Sequence, residues 1–229
     1  MKGAMEAPSR RTSLLGVHHA GIALLRRSGM AGMLILLAFG MFVLPVVFPP
    51  GEDMTVASRM LVLLVVVCGI VAISEKPRMA LLLSVVAVLV VLAHAAERLV
   101  PALNIEKWHD AVLLSAQILL AIAVGAGVFA TKRAIGDRLF GAIALYLLLG
   151  VIWATLYAIV ANTVPDAFAG ALPKHATLFD WGYFSLVTLT TVGYGDITPA
   201  AHIARSLATL EALVGQLYPA IIIARLVSA

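Results

Sequence analysis

Six long apolar stretches constrain this chain more than any other feature of its sequence. A helix rises ~1.5 Å per residue, so about 20 apolar residues cross the ~30 Å hydrocarbon core of a bilayer. Only 12% of the residues are charged and 62% are hydrophobic, whereas a soluble domain has about 25% charged residues. The sequence therefore predicts an all-α membrane protein with six transmembrane helices, at about 29–48, 55–74, 79–96, 109–130, 139–162 and 203–226.

A shorter apolar segment, about 179–190, leads directly into the run Thr-Val-Gly-Tyr-Gly-Asp at 191–196. The segment is too short to span, so we interpret it as a re-entrant pore helix before non-helical backbone that lines a water-filled path. Backbone carbonyls of such a run can replace the hydration shell of K⁺. Gly193 and Gly195 can adopt the positive φ values that direct successive carbonyls toward one axis. Alone, Gly-Tyr-Gly would indicate a surface turn, but its place between two apolar helices favours a selectivity filter.

Basic residues orient the six predicted spans. An even number of spans puts both termini on one side of the membrane, and 11 of the 16 Lys and Arg residues fall on that side. The positive-inside rule makes this side cytoplasmic. We therefore expect a protein of the cell membrane with both termini in the cytoplasm and Asp196 toward the outside. The net charge of +4 is then a signal of topology and of contact with membrane lipids, and it indicates no nucleic-acid partner.

Residues 139–229 resemble the pore module of the tetrameric potassium-channel superfamily, and the six-helix plan resembles prokaryotic members of its voltage-gated-like branch. The likeness covers about 90 residues and is most specific at the filter. It implies a homotetramer around a central path for K⁺. It also implies four parts of the chain: a basic cytoplasmic segment at 1–28, a four-helix sensor-like bundle at 29–130, a cytoplasmic linker at 131–138 and the pore domain at 139–229.

The resemblance assigns a role to each residue of the filter. The carbonyls of Thr191, Val192, Gly193 and Tyr194 match the positions that bind K⁺, and Gly195 completes the filter. The hydroxyl of Thr191 is expected below the carbonyls. The side chains of Val192 and Tyr194 are expected to point away from the axis.

Further residues are expected to support the filter. Asp196 matches the acidic residue behind the outer mouth, and Thr190 precedes the filter. Tyr183 stands where the family usually has Trp. Its hydroxyl could reach Asp196 and brace the filter, or the ring could be an ordinary packed aromatic.

The last predicted span carries three residues of interest. Glu211 is an intramembrane carboxyl, which is costly and usually functional or paired. It could hydrogen-bond to Ser185 or Thr188 of the pore helix, or it could face the cavity and attract cations. Gly215 and Pro219 form a Gly-x-x-x-Pro pair that could be a gating hinge, a static kink or a site of close helix packing.

One departure from the family concerns the fourth predicted helix, since no Lys or Arg lies between Lys107 and Lys132. A helix without basic residues cannot move gating charge across the field. The sequence thus predicts a K⁺-selective channel that conducts passively and is not steeply voltage-gated. The alternatives are a less selective cation channel of the same architecture or a K⁺ transporter subunit, although the latter usually carries four degenerate filter segments. No His-Glu-x-x-His or Gly-x-Ser-x-Gly motif occurs, so we predict neither an enzyme nor a cofactor.

Overall fold

The computed structural model describes residues 29–47, 106–129, 135–173 and 176–227, together with positions 65, 68–70, 81–82, 84–85, 87–89 and 91–92. The predicted segment 1–28 lies outside the described residues, as does most of the predicted second and third spans. These parts of the sequence analysis stay predictions.

Five helices can be followed in the described chain. They are α1 (Gly29–Val47), α2 (Glu106–Val128), α3 (Ile135–Thr163), α4 (Leu178–Leu189) and α5 (His202–Val227). Within the part that the structure describes, all of these except α4 contain a stretch long and apolar enough to cross a membrane. The first, fourth, fifth and sixth predicted spans are thereby confirmed as apolar helices. Helix α4 has 12 residues and agrees with the short helix predicted at 179–190.

Helix α3 begins at Ile135, so the last four residues of the predicted linker 131–138 are helical. Arg138 explains this start. Its side chain is buried, and its Nε donates to the carbonyl of Val128 at 3.0 Å. This carbonyl belongs to the last residue of α2 and has no partner within its own helix. The bond therefore ties the beginning of α3 to the end of α2.

Helix α1 contains a π-helical turn at Phe39–Val43, which the sequence did not predict. The N–H of Leu44 bonds to the carbonyl of Phe39, five residues back. Pro45 follows directly and has no N–H to offer to the preceding turn. The widened turn is a known way in which a helix accommodates such a loss.

Helix α3 is the centre of the fold. One side packs against α1 and α2 in a cluster of buried apolar residues that includes Met30, Leu120 and Leu148. The other side packs against α4 and α5 in an aromatic cluster around Tyr157. Because lipid tails are as apolar as these side chains, close packing rather than the hydrophobic effect holds such helices together.

A small antiparallel sheet joins the outer loop to the segment after the filter. Strand β1 (Phe168–Gly170) pairs with β2 (Ile197–Pro199), with Gly170 opposite Ile197. Strands of three residues give no recognisable pattern, and the sequence did not predict them. Gly170 has φ +112°, and a Cβ there would overlap the carbonyl oxygen of Asp196. The sheet therefore fixes the position of the backbone directly after the predicted filter.

Candidate functional site

The backbone between α4 and β2 alternates in conformation along the predicted filter. Thr191, Gly193 and Gly195 have φ values of +59°, +60° and +78°. Val192 and Tyr194, which lie between them, have no positive φ. The positive φ expected at both glycines is confirmed. Thr191 was not expected to share it, and a β-branched residue in this region costs about 1–3 kcal/mol and needs support from its surroundings.

The last turn of α4 supplies much of that support. The N–H groups of Val192 and Gly193 both donate to the carbonyl of Val187, at 2.9 and 3.2 Å. The N–H of Thr191 donates to the carbonyl of Thr188 at 2.9 Å. The chain thus folds back onto the carboxyl end of α4, where helix carbonyls would otherwise lack partners.

Helix α5 holds the inner end of the filter through Gln216. Its Nε2 donates to Oγ1 of Thr191 at 2.8 Å, so the residue with the least favourable φ is fixed by its side chain as well. Gln216 was not predicted as a site residue. The only signal in the sequence is its place about one and a half turns after Glu211, in an apolar part of the helix.

The outer end of the filter is tied to α4 through Asp196. The hydroxyl of Tyr183 donates to Oδ2 of Asp196 at 2.7 Å, and the N–H of Ile197 donates to Oδ1 at 3.1 Å. Of the two alternatives for Tyr183, the hydrogen bond is the one present. The bond from Tyr183 lowers the pKa of Asp196 below its ordinary value of 3.8, with a smaller contribution from the Ile197 N–H.

Glu211 lies fully buried where three helices meet. Its Oε1 is 2.6 Å from the hydroxyl of Ser185 on α4, and its Oε2 accepts a hydrogen bond from Tyr157 on α3. The Ser185 hydroxyl also lies 2.8 Å from the carbonyl of Gly150 on α3. In the described structure Thr188, the other partner considered for Glu211, forms no hydrogen bond with it. The carboxyl thus connects α3, α4 and α5 directly behind the filter.

Tyr157 was not predicted as a site residue, although a buried tyrosine usually needs a partner for its hydroxyl. Its ring forms edge contacts with Phe168 and Phe184, with centroids 5.7 and 4.8 Å away. Phe168 belongs to β1, so the same aromatic cluster that places Tyr157 against Glu211 also anchors the sheet. This gives the outer loop and the back of the filter a common support.

Gly215 is the point of closest approach between α5 and the filter's base. A Cβ on Gly215 would overlap the carbonyl of Leu189, the last residue of α4. The hydroxyl of Tyr146 on α3 donates to that same carbonyl at 3.2 Å. Of the alternatives considered for Gly215, close packing has direct support in this geometry. Helix α5 continues through Pro219 to Val227, and the hinge role of the Gly215–Pro219 pair stays a prediction.

Comparisons with known proteins match the part of the chain that contains this site. A family model described as "Ion channel" matches residues 142–229. Protein LctB of Bacillus caldotenax is 36% identical over 105 residues, which cover 44% of this chain and 78% of the relative. Protein LctB of Geobacillus stearothermophilus is 39% identical over 109 residues, with 44% and 79% covered.

The inward rectifier potassium channel Kirbac3.1 of Paramagnetospirillum magnetotacticum is 34% identical over 112 residues. The match covers 49% of this chain but only 30% of that relative. No solved structure matches the chain.

Proposed function

Because this chain belongs to the ion channel family, within the potassium-channel-like superfamily, we propose that four copies form a pore that conducts K⁺ selectively and passively. The protein is then a channel and not an enzyme, and K⁺ is the permeant ion rather than a cofactor. Its location is the cell membrane, with both termini in the cytoplasm and Asp196 at the outer mouth.

The alternating backbone of Thr191, Gly193 and Gly195 is the observation that carries this proposal. Alternation between positive and ordinary φ allows successive carbonyls of 191–195 to point toward one side. Oxygens on one side can replace the water around a dehydrated cation, whereas an ordinary strand would direct them alternately to both sides. The intact Thr-Val-Gly-Tyr-Gly sequence supports K⁺ selectivity over the less selective alternative.

Exposed apolar side chains beside the filter support the assembly of several copies. Val192 and Tyr194 are 53% and 71% exposed in one protomer. Large apolar side chains exposed next to a functional element commonly mark an interface. One chain supplies one filter segment, so a closed ring of four copies provides the cage of oxygens that K⁺ needs.

Reversal potentials in planar bilayers test the function. With K⁺ on one side and Na⁺ on the other, the reversal potential of the purified full chain should lie close to the K⁺ equilibrium potential. A value midway between the K⁺ and Na⁺ equilibrium potentials would replace the K⁺ channel with the less selective cation channel. The mass of the conducting particle in detergent tests the assembly, since four chains of 24.1 kDa are expected in each.

A further inference from the structure

An apolar groove lies on the side of the protomer, between the first helix and the filter. We call it the side groove. It has a volume of about 860 Å³ and is lined by residues of α1, α2, α3, α4 and the filter. Sites for small molecules commonly occupy ~300–1,000 Å³ and are mostly apolar, with a few polar groups that orient the ligand. The side groove fits this description because its described lining is mostly apolar and includes a buried amide.

Gln117 provides that amide. It lies in the middle of α2, lines the side groove and is only 6% exposed. Neither its Nε2 nor its Oε1 has a hydrogen-bond partner among the residues that the structure describes. Buried polar side chains are almost always hydrogen-bonded, because an unpaired donor or acceptor in an apolar environment destabilises the protein. A buried amide without partners therefore indicates a missing partner.

Water is a poor candidate for this partner. A buried water usually needs two to four polar partners. The neighbours of Gln117 along the α2 side of the groove are the apolar residues Leu113, Ala116 and Leu120. The amide offers both donors and an acceptor, so it is complementary to a hydroxyl or to another amide, each of which can also donate and accept.

The charges of the side groove limit the ligand further. Among the lining residues that the structure describes, the charged side chains are Asp180 and Asp196, which are both acidic. An anionic headgroup would be repelled there and would have no basic partner in the described lining. The long apolar walls instead suit a hydrocarbon chain.

We propose that the side groove binds a single-chain, uncharged amphiphile whose hydroxyl or amide group hydrogen-bonds to Gln117. The hydrocarbon chain lies along the apolar walls formed by α1, α2 and α3. The polar group satisfies the amide that the protein leaves unpaired. This assignment concerns a ligand site outside the ion path and does not depend on the ion that the pore conducts.

Two probes of equal chain length test the proposal on the purified chain in lipid nanodiscs, because a detergent is itself a single-chain amphiphile and would compete for the groove. Oleamide carries a primary amide, and (Z)-9-octadecene has the same hydrocarbon chain without it. Wild-type protein should bind oleamide about tenfold more tightly than the alkene, which corresponds to ~1.4 kcal/mol from the hydrogen bonds to Gln117. Equal affinities for the two probes, or binding of neither, would refute the site.

A pair of variants on α2 assigns the preference to Gln117. Gln117→Leu keeps the size of the side chain and removes its polar atoms, so the tenfold preference should disappear. Ser115→Ala is the matched control, because Ser115 is exposed and its hydroxyl donates to the carbonyl of Val112 in its own helix at 2.7 Å. The control should keep the preference.

The oligomeric state of the same samples distinguishes a ligand from a second copy of the chain. If a neighbouring copy supplied the partner of Gln117, then Gln117→Leu would weaken the assembly. The wild-type protein would then bind neither probe. That result would overturn the proposal in favour of a subunit interface. Binding is measured without ion flux, so the ligand site and the proposed K⁺ channel function are tested independently of each other.

Discussion

Thr191, Gly193 and Gly195 show how single residues define the filter. A glycine at positive φ is unstrained, whereas Thr191 adopts the same region at a cost and is fixed by Gln216. The two glycines are therefore needed for their backbone conformation and not for lack of space, since a Cβ on either would have open space around it in one protomer. Thr191 instead keeps its side chain because the hydroxyl is needed as an acceptor.

Gly193→Ala should abolish selective K⁺ conduction. The Cβ makes φ +60° unfavourable by ~1–2 kcal/mol in each copy, so the carbonyl alternation should be lost. Gly182→Ala is the matched control, because Gly182 lies within α4 and a Cβ there meets nothing within 4 Å. That variant should conduct normally and unfold at an equal or higher temperature. Unchanged K⁺ selectivity in Gly193→Ala would show that the positive φ is dispensable.

Tyr183→Phe should make the protein more sensitive to acid. The Tyr183 hydroxyl lowers the pKa of Asp196 below 3.8, so this hydrogen bond stabilises the folded protein fully at a pH above 3.8. The stabilisation is lost as the pH falls through the lowered pKa. Without the hydroxyl the carboxylate protonates at a higher pH, and acid unfolding followed from pH 6 to pH 2 should begin earlier. In an Asp196→Asn background the same change should produce no shift of the acid transition.

Glu211→Gln and Glu211→Leu should differ sharply in their stability toward thermal unfolding. One Ser185 hydroxyl has one proton, yet it contacts both Gly150 and Glu211, so a side chain that can donate as well as accept suits this position. Glutamine can do both and should preserve assembly and K⁺ flux. Leucine leaves the buried Tyr157 hydroxyl without its partner, which should cost about 1–3 kcal/mol, whereas the Ser185 hydroxyl keeps the Gly150 carbonyl as an acceptor. Thermal unfolding of both variants checks this, and equal stability would exclude a bracing role.

At the scale of whole helices, α5 contacts α4 and the filter through several residues. Helix α5 carries Glu211, Gly215 and Gln216 within about one and a half turns, and each of them meets a different part of α4 or the filter. A movement of this part of α5 would therefore disturb the filter's base directly. In the proposed channel this helix both lines the inner path and supports the filter from behind.

Gly215→Ala separates close packing from a hinge. The added Cβ overlaps the Leu189 carbonyl, and overpacking of this kind costs ~1–3 kcal/mol. We expect a lower unfolding temperature together with altered selectivity. A pure hinge glycine would instead leave both unchanged and shift only the open probability in single-channel recordings. Pro219→Ala serves as the comparison, because Pro219 lies within α5 one turn beyond Gly215 and is not the residue that meets the Leu189 carbonyl.

The secondary structure was largely predictable from the sequence, but its contacts were not. Continuous apolar runs give the positions of α1, α2, α3 and α5, because a bilayer demands such runs. The partners Tyr157 and Glu211 are 54 residues apart, and no local pattern connects them. The sheet of β1 and β2 was not predicted either, since its strands are too short. Gly215 was noticed by its spacing from Pro219, whereas its contact is with Leu189, on another helix.

At the scale of the whole molecule, the arrangement of charge predicts weak dependence on voltage. The described part of α2 from Asp110 to Val128 contains no Lys or Arg, so it carries no positive charge through the field. Each charge that crosses the membrane contributes ~2.3 kcal/mol per 100 mV. Open probability should therefore change little between −100 and +100 mV. A tail-current activation curve that requires more than about two charges per channel would contradict this.

The pairing of β1 with β2 has a consequence for which parts of the outer loop can vary. Phe168–Gly170 pair in register with Ile197–Pro199. A residue inserted into β1 would therefore shift the pairing with β2, directly after the filter, by one residue. Beyond Ala171, whose N–H donates to the Asp196 carbonyl at 2.7 Å, the register no longer applies. Additions and deletions should therefore accumulate among relatives after this residue and be rare before it.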